Sequence, residues 1–135
     1  MTALGLVLRF NSGFEPRLRE FAILLTGRYW DCQFEWASHE AEARNARLSL
    51  ASIETLRVGG STFAAVDEQA IHDYGMELLA KHFASDAARR RMVALFGDAG
   101  AVELTGLIGY YAMVALILNA AECEVPAGMT PPLPT

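Results

Sequence analysis

Apolar positions recur along the chain at spacings of three and four, and nowhere do they alternate at the spacing of two that a half-buried strand needs. Punctuation residues divide this pattern into seven predicted helices. Met1–Phe10 is apolar at helical spacing and stops at Asn11-Ser12-Gly13. Pro16 sits where a first-turn proline belongs, so a second helix starts near Glu15. It carries Leu18, Phe21, Ala22 and Leu25 on one face and reaches about Tyr29. Asp31 is positioned to cap a third, from Cys32 to about Ala46. Ser49 or Ser52 opens a short fourth, which Gly59-Gly60 closes. Asp67 starts a fifth that reaches about Phe83; Ser85-Asp86 opens a sixth, ended by Gly97; and a seventh spans about Ala101 to Ala121.

Composition agrees with this reading. Ala and Leu number 39 against 12 for Val and Ile, and all five prolines lie at Pro16 or from Pro126 onward, so none interrupts the region between. The expected fold class is an all-α, single-domain bundle of about six or seven helices over residues 1–126, followed by a loose tail over 127–135. At 135 residues there is room for one core. Counted with glycine and without tyrosine, the apolar fraction is about 58%, against roughly 45–50% in ordinary soluble domains. That surplus excludes a disordered chain and points to an oligomer contact. Leu104–Ala121 runs 18 residues without a charge. It reads as a bundle helix rather than a membrane span, because it holds Thr105, Gly106, Gly109, Asn119 and two tyrosines and lacks basic flanks.

Charge and cysteine usage narrow the function classes. Eleven basic and sixteen acidic residues give a net charge of −5, and the densest basic cluster is Arg89-Arg90-Arg91. A nucleic-acid binder would carry a basic stripe, so none is expected as partner. Cys32 and Cys123 make neither a disulfide framework nor a zinc set, which fits a reducing, cytoplasmic setting. Met1–Leu8 lacks the basic start and cleavage site of a signal peptide. His72 and His82, ten apart, read as solvent-facing, and no metal site or cofactor motif is visible.

The window that carries chemistry is Tyr29 to His39. Cys32, Glu35 and His39 stand at i, i+3 and i+7, so a thiol, a carboxylate and an imidazole share one helix face. Phe34 and Trp36 are large apolar neighbours able to dry such a site. The same spacing also suits a core cysteine beside a surface Glu–His pair.

Arg19-Glu20 upstream, then Glu35-Trp36-Ala37-Ser38-His39, then Ala46-Arg47-Leu48-Ser49, resemble the carboxymuconolactone decarboxylase family, which also holds the alkyl hydroperoxidase D proteins. Val102 to Tyr111 is similar to that family's last long helix, and the resemblance spans roughly Glu15 to Pro126. It implies an alkyl hydroperoxidase D-like helical fold, packing into trimers or hexamers, and a cofactor-free lyase acting on a small anionic lactone or oxo acid in aromatic catabolism. The roles it implies are His39 as donor to the developing enolate, Glu35 as partner acid/base, and Glu20 as the group that holds His39 in its working tautomer. Cys32 and Trp36 would line the pocket, with Arg19 or Arg28 supplying a cation for the substrate. The hydroperoxidase branch has a Cys-x-x-Cys-x-x-x-His motif with a glutamate twelve residues before the first Cys. Here Glu20, Cys32 and His39 match, but Glu35 stands at the second Cys. That departure favours the lyase over a thiol peroxidase using Cys32; a non-catalytic oligomer that binds a ligand is the third reading.

Overall fold

A computed structural model of the protein describes residues 14–135, and all of its regular structure there is helical. The elements are α1 (Pro16–Tyr29), α2 (Gln33–Asn45), α3 (Leu50–Arg57), α4 (Val66–Lys81) and α5 (Asp86–Ala120). The all-α expectation holds, with five helical elements among the described residues against six or seven expected for the whole chain. The helix expected over Met1–Phe10 lies outside the described residues. The sixth and seventh predicted helices are one 35-residue element, in which Gly97 alone leaves helical geometry, at φ 75° and ψ 174°.

Local chemistry explains the boundaries. Pro16 occupies the first position of α1. Ser49 and Ser85 accept hydrogen bonds from the backbone N–H of Ser52 and Ala88, which caps α3 and α5. Gly59 takes φ 75° just past α3, and His82 closes α4 at φ 73°. Gly97 marks the predicted stop, but the chain re-enters a helix at once, so the result is a break within one element. Its backbone lies in a region that only glycine adopts readily. A Cβ there would meet nothing within 4 Å, so the cost of a side chain is purely conformational. Gly97→Ala is therefore expected to lower stability by about 1–3 kcal/mol, read as a shift in urea midpoint at constant m-value.

α1 is the centre of the bundle. The sequence pattern predicts one apolar face, but every residue from Glu20 to Gly27 is buried, because α2, α3, α4 and α5 all pack against it. Its core includes Phe21, Ile23 and Leu24, joined by Trp36, Ile71, Met92 and Leu104. Phe14 stacks on Phe96 at one end of α1, with ring centroids 4.9 Å apart, and the Asn119 side chain donates to the Trp30 carbonyl at the other, 2.7 Å away. The second half of α5 thus runs parallel to α1. It buries Leu104, Leu107, Ile108, Tyr111 and Ala115 and leaves Val102, Met113, Leu116 and Ile117 exposed. By length and composition α5 is apolar enough to cross a membrane, with a third of its most apolar stretch buried in the fold.

Two polar devices fasten this core. Arg17 on α1 pairs with Asp67 at 2.6 Å and with Glu68, both on α4, and Ser52 on α3 donates to Glu68. In the tail expected to be loose, Leu133 is buried, and its N–H and carbonyl pair with the Gln33 side-chain amide at 2.8 and 2.9 Å.

Candidate functional site

Glu20, Glu35 and His39 converge. α1 contributes Glu20, and α2 contributes Glu35 and His39 one turn apart. His39 Nδ1 lies 2.9 Å from Glu20 Oε2, and Nε2 lies 3.1 Å from Glu35 Oε1. All three are buried: Glu20 is 2%, Glu35 4% and His39 6% exposed. α1 and α2 come close here because Gly27 faces the Glu35 side chain, where even a Cβ would be in van der Waals contact at 3.5 Å. Trp36, fully buried, seals α2 behind the cluster, and the Tyr111 ring of α5 meets the His39 ring edge-on, with centroids 5.5 Å apart at 84°.

Electrostatics fix the protonation state. Burial acts to lower the His39 pKa, but hydrogen bonds to Glu20 and Glu35, and their charges, outweigh it and raise the value from 6.5 to about 9. Near neutral pH the ring is an imidazolium donating from both nitrogens to carboxylates. Because its pKa is higher folded than unfolded, the stability it contributes is complete below pH 6.5 and is lost as pH rises through about 9. Unfolding free energy should accordingly fall by up to a few kcal/mol between these values, and His39→Gln should flatten that fall in denaturant titrations at several pH values.

The remaining predicted site residues are distributed around this cluster. Cys32 is buried as the N-cap of α2; burial chiefly, with negative charge from Glu35, raises its thiol pKa. Arg19 is half-buried next to Glu20 in sequence, and its Nε is buried without a hydrogen-bond partner among the described residues. Arg28 is engaged elsewhere. It pairs with Asp31, donates to the Arg57 carbonyl at the end of α3 at 2.9 Å, and lines a cavity of about 180 Å³ with Gly59, Gly60 and His72.

The structure corrects one histidine. His72 is buried against the Phe63 ring, with centroids 5.2 Å apart, rather than solvent-facing, whereas His82 is exposed. His72 lines a cleft of about 400 Å³ between α4 and the start of α5, beside Asp73, Glu77, Lys81 and Arg91. Glu68, buried and paired, was not singled out by sequence reasoning; the only signal for it is its place in the first turn of α4, opposite Arg17. Arg89, Arg90 and Arg91 are exposed, as a solvated face would be. Among the described residues no three His, Cys, Asp or Glu side chains are grouped to hold a metal ion. The two carboxylates of the His39 cluster sit on opposite ring nitrogens and do not face a common point.

The chain matches no protein-family profile, no characterised protein and no solved structure.

Proposed function

We propose that this protein is a cofactor-independent lyase related to the carboxymuconolactone decarboxylases, acting on a small anionic lactone or oxo acid. The observation that carries the reading is a buried imidazolium held at both nitrogens by carboxylates, Glu20 from one helix and Glu35 from the next. A surface Glu–His pair needs neither the burial nor the second carboxylate.

Decarboxylation of an α,β-unsaturated γ-lactone that carries a carboxylate on its γ-carbon breaks the bond to the carboxylate carbon and moves its electron pair through the double bond onto the lactone carbonyl oxygen. That oxygen needs a donor as it becomes an enolate, and the carbon skeleton then needs a proton. His39 Nε2–H is the donor, with the substrate oxygen taking the place of Glu35 in front of it. Glu20 keeps Nδ1–H fixed, so the ring does not turn as charge develops. The Nε2 proton of His39 then passes to the substrate carbon, with Glu35, released from Nε2, as its acid/base relay, and the neutral ring takes a proton back from water. Arg19 is the cation closest in sequence to the cluster and would meet the substrate carboxylate; its unsatisfied Nε supports that role. Trp36 and Cys32, both buried, would line the pocket as its apolar surroundings.

The exposed apolar side of α5 supports assembly of several copies, in trimers or hexamers as the resemblance implies, in the cytoplasm. A thiol peroxidase resting on Cys32 is less favoured, since Glu35 stands where the hydroperoxidase motif has its second cysteine. A panel of unsaturated lactone acids and 2-oxo acids, followed by carbon dioxide release, tests the reading. Turnover by the native chain that is lost in His39→Ala is the expected result. Release that persists unchanged in His39→Ala, or no release from any member of the panel, would overturn it.

A further inference from the structure

The two cysteines, 91 positions apart in sequence, occupy the same place in two helix endings. α1 ends at Tyr29, and Asp31 turns left-handed at φ 50°. The Cys32 N–H then reaches back to the Gly27 carbonyl, 2.9 Å away, while Asp31 N–H donates to Arg28. α5 ends at Ala120, and Glu122 turns left-handed at φ 52°. The Cys123 N–H reaches back to the Leu118 carbonyl, 3.0 Å away, while Glu122 N–H donates to Asn119. In this closing motif the residue after the left-handed position folds back against its own last turn. The two helices run parallel, and the Asn119 amide ties their ends together through the Trp30 carbonyl at 2.7 Å. Two equivalent endings are thus clamped side by side, each carrying a thiol in its fold-back position.

A second observation points to the same place. Cys123 and Gln33, the residue following Cys32, line one cavity of about 450 Å³ under the chain segment from Glu124 to Pro131. Cys32 is buried and Cys123 is exposed. After burial and the charge of Glu35, negative charge on Cys123 is among the causes that raise the Cys32 thiol.

We propose that Cys32 and Cys123 are a reversible dithiol, closing to an intramolecular disulfide when the protein meets a small disulfide in the Gln33–Cys123 cavity. The exposed Cys123 reacts first. Its thiolate attacks one sulfur of the small disulfide RSSR, whose S–S bond breaks, and RS⁻ leaves and takes up the proton that Cys123 gave. The Cys32 thiolate then attacks the Cys123 sulfur, forming the protein disulfide and expelling the second RS⁻, which takes up the proton of Cys32. One RSSR becomes two RSH, and two protein thiols lose their hydrogens. Because burial raises the Cys32 thiol, the second step accelerates with pH. The disulfide would join the end of α1 to the end of α5 beside the start of α2, which carries Glu35 and His39. This inference does not depend on the lyase reading.

The test uses the whole native chain and 2-hydroxyethyl disulfide. Thiol titration should fall from two per chain to none, and intact mass should fall by two hydrogens without an adduct. Non-reducing electrophoresis should show a single unlinked chain, and dithiothreitol should reverse the change. Cys32→Ser should instead stop at one hydroxyethylthio adduct on Cys123. Circular dichroism recorded during the reaction shows that the native chain stays folded, so the result does not hang on the variant. A native chain that stops at the mixed disulfide with Cys32 still free, or that forms only covalent dimers, would overturn the proposal.

Discussion

Replacing His39 alone with leucine is expected to destabilise the protein by about 3–5 kcal/mol and, on the proposed lyase reading, to reduce carbon dioxide release by about 10²–10⁴-fold. The stability loss follows from what stays behind. Glu20 and Glu35 would remain 2% and 4% exposed, facing each other without the cation that now separates them. The informative partner is the triple change Glu20→Leu, Glu35→Leu, His39→Leu. A buried ionic triad that is replaced whole by apolar side chains of similar volume is often neutral or stabilising. The triple variant should therefore regain most of the stability and, on the proposed lyase reading, release no carbon dioxide. Urea unfolding of the native chain and both variants, alongside the carbon dioxide assay, separates the two properties. A triple variant as unstable as the single one would mean that the cluster is there to hold the helices together.

Arg17→Met is the second large effect, expected at about 2–4 kcal/mol. Arg17 supplies the positive charge for Glu68, whose side chain is 4% exposed, and holds Asp67 at 2.6 Å. Without it, among the described residues, Glu68 keeps only the hydroxyl of Ser52. The figure sits below that for the His39 cluster because the Arg17 side chain retains 19% exposure and water can reach it. The double change Arg17→Met, Glu68→Met should cost less than Arg17→Met alone. Thermal unfolding of the three chains decides it, and equal losses in the single and double variants would assign the effect to lost packing of the arginine stem.

How much of this was readable in advance depended on sequence distance. Three helix starts were legible because the caps are local: Pro16, Ser49 and Ser85 each act on backbone within three residues, whereas Asp31 does not cap α2, whose N-cap is Cys32 without a side-chain hydrogen bond. Glu35 and His39 were legible as neighbours because one helical turn places them so. Glu20 was reached only through the resemblance, since nothing in spacing tells which residue of α1 meets α2. His72 was misread because its burial depends on Phe63, which folds over it from the segment before α4. The docking of Leu133 on Gln33, and the meeting of the α1 and α5 endings, join residues about 90 to 100 positions apart. Periodicity carries no information over that range. The break in α5 was legible for the same local reason as the caps: Gly97 leaves helical geometry where the sequence places a stop, and the chain re-enters a helix directly after it.

The edge-on approach of Tyr111 to His39 also makes the cluster observable by nuclear magnetic resonance. Both ring N–H protons of the imidazolium are donated to carboxylates and screened from water, so their exchange should be slow enough for two signals far downfield of the amide envelope. The ring current of Tyr111 should separate the carbon-bound protons of His39 from those of His82, which stands in solvent. Titrating such a spectrum would follow one buried proton directly, without any substrate in hand.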